Sequence, residues 1–146
     1  MGIANKKWQI YLGGKMSGLS FNDMNTWRKD AKQKISDMAE IAGYSAIVIN
    51  PVDFYNFENE KYQSQAEVMD YDLFHVKNSD FLIINADGLN SSVGTIMEIF
   101  CAWKNSSLIF VFGEYKNRHP WIERCVTRFE DDIDGVIDYL KEFYFI

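Results

Sequence analysis

Short, continuous apolar runs punctuate the chain at residues 8–12, 45–50, 80–85 and 108–112. Their length and β-prone content predict strands, and unbroken apolar runs suit strands covered on both faces. Between them the apolar positions recur every three to four residues, which predicts helices. The first helix is expected over residues 21–42, with Met24, Trp27, Ala31, Ile35, Met38 and Ala42 as its buried stripe. Lys29, Lys32, Lys34 and Asp37 cover its outer side, Ser20 with Asp23 opens it, and Gly43 closes it. A second helix is expected over about 66–78, with Met69, Leu73 and Val76 inward. A third should run from near Ser92 to about Lys104, and a last one from Ile133 over 133–145. Residues 121–126 predict a short helix and 127–129 a short edge strand.

Strand and helix alternate throughout, and that order predicts an α/β fold. The expected architecture is one domain, residues 1–146, with a doubly wound, flavodoxin-like or Rossmann-like parallel sheet of four to five strands. Helices should cover both faces. Such sheets bind ligands beyond the carboxyl ends of their strands, at the switch point of strand order. That rule gathers the Gly-rich loop 13–18, the turn 86–94 and the start of the third helix. The loop reads either as a tight strand-to-helix turn or as a ligand-approach loop; it is neither a Walker loop nor GxGxxG. The polar-aromatic connection 52–65 is long for a compact domain, and reads as a pocket wall or lid, or as a solvated loop.

Composition narrows the chemistry. The net charge of −6 and the lack of a basic run argue against polymeric nucleic acid as a partner. Cys101, Cys125, His75 and His119 form no ligand spacing, so no metal and no other cofactor is expected. Residues 1–7 lack a signal-peptide core and no apolar run is long enough to span a membrane, so a cytoplasmic protein without a membrane partner is expected.

Glu98 is the informative carboxylate, because Ile96, Met97, Ile99 and Phe100 around it are all apolar. It either points to water or is kept for chemistry, since an anion is costly to bury. On a helix it shares a face with Gly94 and Thr95. The helix start offers free N–H groups and a positive dipole end to a phosphate, with Ser91 and Ser92 as hydroxyl donors. The plainer reading makes Ser92 a helix cap. Asp72 borders the apolar face of the second helix, whereas Asp70 reads as solvated rim.

Three segments together carry a resemblance: Ile10-Tyr11-Leu12-Gly13-Gly14; Asp72 ahead of Asn78-Ser79-Asp80; and Gly94-Thr95-Ile96-Met97-Glu98 ahead of Ala102. In this order the chain resembles the nucleoside 2-deoxyribosyltransferase superfamily, which includes 2'-deoxynucleoside 5'-phosphate N-hydrolases. The resemblance implies an enzyme that cleaves the base–sugar bond of a deoxynucleoside 5'-monophosphate. Glu98 falls on the nucleophile, Asp72 on the acid assisting the departing base, and Tyr11 on a tyrosine beside the reacting centre. Gly14, Lys15, Met16 and Ser17 fall on the loop that contacts the sugar and its 5' substituent. Ser92 falls where nucleoside transferases carry aspartate and nucleotide hydrolases carry serine, which favours a 5'-phosphate. Gly94 belongs to the same substrate-binding set. Thr127 falls near a polar residue supplied by a neighbouring subunit, and a homodimer or larger homo-oligomer is implied. The aromatic end, Phe143-Tyr144-Phe145-Ile146, is a candidate for that interface.

Two departures accompany the resemblance. The loop lacks an arginine found in some hydrolases, with Lys15 available instead. Phe100 stands where glycine is implied, and is expected to narrow the space behind Glu98. The alternatives are a base-exchanging transferase, a non-catalytic nucleotide-binding module, and a weaker flavodoxin-like FMN binder.

Overall fold

Five parallel strands lie in the order β2-β1-β3-β4-β5 in the computed structural model, which describes residues 7–55 and 60–146. The strands are β1 (Lys7–Gly13), β2 (Ser45–Ile49), β3 (Phe81–Asn85), β4 (Leu108–Phe112) and β5 (Arg128–Glu130). The helices are α1 (Phe21–Ala42), α2 (Gln65–Lys77), α3 (Val93–Lys104), α4 (Pro120–Cys125) and α5 (Ile133–Phe143). The expected α/β class, parallel sheet and two covered faces are all present, and the strand order is the flavodoxin-like one. None of the described helices is long and apolar enough to cross a membrane.

Alternate pleats of the strands feed two separate cores. On one face Ile10, Leu12, Phe81, Ile83 and Phe110 meet Ala31 and Ile35 of α1 and Val136 and Leu140 of α5. On the other, Tyr11, Leu82, Ile84, Ile109 and Val111 meet Val76 of α2, Ile99 and Ala102 of α3 and Ile122 of α4. Each fully buried aliphatic residue, such as Ile35, contributes about 1.5–3 kcal/mol of burial free energy.

The helix ends follow local chemistry. The Ser20 side chain accepts the Asp23 N–H, and Gly43 closes α1 in the left-handed region at φ 82°. Ser64 and Glu67 form a complete capping box at the start of α2. This S-x-x-E signal was readable in the sequence and places the helix start one residue earlier than expected.

Three expectations about packing are corrected. The α1 stripe is rotated toward Asn25 and Arg28, both buried, while Met24, Trp27 and Ala42 are only half-buried. Met69 is 43% exposed; of the expected inward residues of α2, Val76 is buried and Leu73 half-buried. The C-terminal segment is only partly available as an interface, because Phe143 and Ile146 are exposed while the residues between them turn inward. Phe145 is buried against Trp8, Tyr44 and Phe81 in the chain's own core, and the Tyr144 ring meets Phe81 edge-on. Of the 52–65 connection, residues 51–54 form a short 3-10 turn, and 56–59 lie outside the described residues.

Candidate active site

β1 and β3 are neighbours at the centre of the sheet, and their chains leave in opposite directions, to α1 and α3. The crevice this opens is a cavity of about 280 Å³. Gly14, Lys15, Met16 and Ser17 line one side of it, Ser91, Ser92, Gly94 and Thr95 the other, and Asp72 and Glu98 its end. Larger hollows, about 580 Å³ between α1 and α5 and about 460 Å³ against α3 and α4, gather no comparable group of buried ionisable residues among the described ones.

Glu98 points inward, 9% exposed, at the base of the crevice. The Tyr11 O–H, fully buried, donates to Glu98 Oε2. The pleat repeat then puts Gly13 on the same face as Tyr11. A Cβ on Gly13 would stand 2.6 Å from Ile84 Cδ1, which would have to shift, and 3.4 Å from Glu98 Oε1, in ordinary contact with the carboxylate. Gly14 turns to the other face, where a Cβ would meet Trp27 Cζ2 at 3.0 Å.

Asp72 reaches the crevice from α2 and has a tyrosine of its own. The Tyr55 O–H donates to Asp72 Oδ1. Each carboxyl group is thus held by one phenol. Burial pushes Glu98 up to about 8; the Asp72 charge pushes the same way, while the Tyr11 hydrogen bond and the Arg28 charge oppose it. Burial also raises Asp72, against the Tyr55 bond and the charges of His75 and Arg28. The two acids share one field and titrate as a pair. Asp70, in contrast, is exposed.

The α3 end of the crevice is a helix N-terminus without a side-chain cap. Ser92 does not cap; its hydroxyl is 2.7 Å from Thr95 Oγ1, inside the cavity lining. The N–H groups of Val93, Gly94 and Thr95 belong to the first turn, which has no intrahelical acceptors. Gly94 has open space where a Cβ would be, so it leaves room for a ligand rather than for Glu98. Lys15 crosses the crevice mouth and lies against Gly88. A Cβ on Gly88 would stand 2.7 Å from Lys15 Cδ, which would have to move aside, and the backbone there sits at φ 65°, where a side chain is strained.

The fold matches solved structures at low identity. A 2-deoxyribosyltransferase from Bacillus psychrosaccharolyticus superposes with a TM-score of 0.64 at 19% identity, over 90% of this chain and 91% of that one. A CMP N-glycosidase from Clostridium botulinum gives 0.54 at 15% identity, over 92% and 99%. A conserved protein from Enterococcus faecalis V583 gives 0.76 at 14% identity, over 94% and 99%. The fold is that of the nucleoside 2-deoxyribosyltransferases. No family profile and no curated protein sequence matches the chain.

Against this deoxyribosyltransferase-like fold, most of the expected site residues converge: Tyr11, Asp72 and Glu98 at the base, and Gly14, Lys15, Met16, Ser17, Ser92 and Gly94 around the cavity. Thr127 does not join them within its own chain. Its hydroxyl accepts the Ile109 N–H at 3.0 Å, near the amino end of β4, away from the crevice. Phe100 does not narrow the space behind Glu98; it is 54% exposed on the outer side of α3. Two site residues were missed. Tyr55 sat in a segment with no periodicity to orient it. Arg28 lies three residues ahead of Ala31, inside the apolar phase of α1, but its charge hides it from a stripe read by apolar residues.

Proposed function

We propose that the protein is an N-glycosidase that cleaves the base–sugar bond of a 2'-deoxynucleoside 5'-monophosphate. One observation carries the reading: two tyrosine-held carboxyl groups, Glu98 buried and Asp72 half-buried, open onto a single crevice whose other wall is an uncapped helix N-terminus. Val93, Gly94 and Thr95 N–H groups, Ser92 and Lys15 suit a phosphate there. A carboxylate at position 92 would repel that phosphate; a serine does not.

In the reaction, a Glu98 oxygen bonds to the anomeric carbon as the bond from that carbon to the base nitrogen breaks. The Asp72 proton passes to the departing base. Water then attacks the same carbon, giving its proton to Asp72 and freeing Glu98, so the products are free base and deoxyribose 5-phosphate. Burial by itself favours a proton on Glu98, the reverse of what attack needs. Substrate corrects this, because the base nitrogen draws the proton onto Asp72 and positive charge on the sugar stabilises ionised Glu98. Activity therefore falls as pH rises through about 8, where the pair loses the one proton that the departing base needs.

The base itself is proposed to lie toward Tyr55 and Tyr71, where a hollow of about 310 Å³ adjoins the Asp72 partner. Transfer to a second base instead of water is the alternative, since a 2-deoxyribosyltransferase is among the structures that share the fold. A silent nucleotide-binding module loses its main support, since Phe100 stands outside the site. Homo-oligomer formation belongs to the same proposal. Exposed Val93, Met97, Phe100, Trp103 and Trp121 on α3 and α4 give an apolar side suited to a second copy. A reducing, cytoplasmic setting suits the two free cysteines.

The test is product analysis. Incubation with each deoxynucleotide and deoxynucleoside, with and without a second base, should release free base from the 5'-monophosphates. A new nucleoside as the main product would move the assignment to transfer, and no change in any mixture would sink both.

A further inference from the structure

Arg28 is the largest fully buried side chain among the described residues, and no step of the proposed reaction uses it. It projects from α1 toward the crevice. Its Nη2 donates to the Gly14 carbonyl at 3.0 Å and its Nη1 to the Met24 carbonyl. Its Nε has no partner among the described residues, and its guanidinium also lies against the Trp27 ring, 4.7 Å from the centroid.

Such a residue is costly for a fold. A buried guanidinium loses hydration, and an apolar side chain of similar volume fills the same space at no such cost. Burial lowers Arg28 to about 10, which still leaves it charged at neutral pH. The charge has a destination. Glu98, Tyr11 and Asp72 each act on it electrostatically. The two groups face each other across the backbone of the β1 end, with only consecutive glycines between them: a Cβ on Gly13 would lie 3.4 Å from Glu98 Oε1 on one face, and one on Gly14 3.6 Å from Arg28 Nη2 on the other.

We propose that Arg28 is a positioning residue for the reaction above: its guanidinium clamps the Gly14 carbonyl at the root of the substrate loop and keeps Glu98 available as an anion. The inference rests on the proposed function. It explains how a loop without an arginine still has one at its base. The arginine comes up from the helix behind the loop, touching its backbone rather than the substrate. The groups facing Glu98 are then Tyr11 from β1, Arg28 from α1, Asp72 from α2 and Tyr55 from the segment before α2, with His75 beside Asp72 and Lys15 across the mouth. Arg28 supplies the fixed cation nearest the base of that set. A lysine retains the charge but cannot bond both carbonyls in one plane.

The experiment compares Arg28→Met and Arg28→Lys with the wild type, through pH profiles of kcat/KM on a 5'-monophosphate and a carbon-13 NMR titration of the Glu98 carboxyl without substrate. For Arg28→Met, the alkaline limb and the Glu98 titration should both move up by about one pH unit or more, and kcat/KM at pH 7 should fall about tenfold because the proton is that much harder to draw from Glu98 to Asp72. For Arg28→Lys, the limb should stay in place while KM rises several-fold. An unmoved limb and an unmoved titration in a folded Arg28→Met overturn the proposal, as does wild-type KM in Arg28→Lys. Loss of the fold in both variants overturns it too, leaving Arg28 a residue of the fold alone. A wild type that turns over no substrate sinks the proposed function, and the NMR titration still decides the role of Arg28.

Discussion

The two ends of the one sheet handle polar groups in opposite ways. At the amino end, Asp80 Oδ2 accepts the Gln9 N–H at 2.9 Å, Gln9 Nε2 donates to Ser79 Oγ at 3.1 Å, and Ser107 Oγ donates to the Ser79 carbonyl at 2.8 Å. Thr127 completes the set by accepting the Ile109 N–H. These groups are neutral or exposed and are matched to fixed partners. At the carboxyl end the groups are ionisable and buried: Glu98, Tyr11 and Arg28, with the Arg28 Nε lacking a partner among the described residues. Polar groups satisfied by the chain hold strands in register. Polar groups buried and left partly unsatisfied are stability forgone for a ligand.

The sharpest way to break that contrast is to remove Glu98. Glu98→Ala should lower base release at least about 10³-fold, the scale of losing a nucleophile. Retained activity in a product assay would place the chemistry elsewhere. Next in size is a stability effect of the opposite sign. The folded carboxyl of Glu98 is raised to about 8 from 4.5, so its contribution is best below the unfolded value and is lost as pH rises through the folded one. Glu98→Gln should therefore melt higher than wild type at pH 8 by roughly 3–5 kcal/mol, with the gap closing toward pH 5. Thermal melts at the two pH values check this, and a gap independent of pH would contradict the burial argument.

Smaller and more selective is Ser92→Asp. A carboxylate beside the α3 N-terminus should weaken 5'-monophosphate use by about 10²-fold while leaving deoxynucleosides nearly untouched, read as the ratio of kcat/KM values. Equal losses on both substrates would remove Ser92 from phosphate recognition. The smallest effect belongs to the other end of the sheet. Asp80→Asn should cost about 1 kcal/mol in denaturant melts, the scale of one weakened hydrogen bond, with activity unchanged. A drop in activity there would show that the two ends are not separate in role.

The scaffold was legible because its signals are local. The unbroken Leu108–Phe112 run is β4, and Ser20 and Gly43 bound α1. The crevice was legible because strand order alone brings loop 13–18 to the start of α3. Arg28 was not, because a periodic stripe is read by apolar residues, and a charged one is assigned outward by default. Met69 failed for the converse reason: periodicity finds a helix face, not whether the neighbouring layer extends far enough to cover it. Tyr55 depended on a tertiary partner, Asp72, that no spacing along the chain encodes. Thr127 followed a loose match, while the hydroxyl's actual bond is set by how β5 meets β4.

The paired glycines at the end of β1 limit how this crevice can be altered. A first carbon at position 13 would push on the tip of Ile84, and one at position 14 on the Trp27 ring. Directed evolution toward a bulkier or smaller sugar therefore has to move a core side chain to work on the floor of the cavity. Variation is cheaper at the rim, at Met16, Ser17, Ser92 and Gly94, where open space or solvent takes up a new side chain.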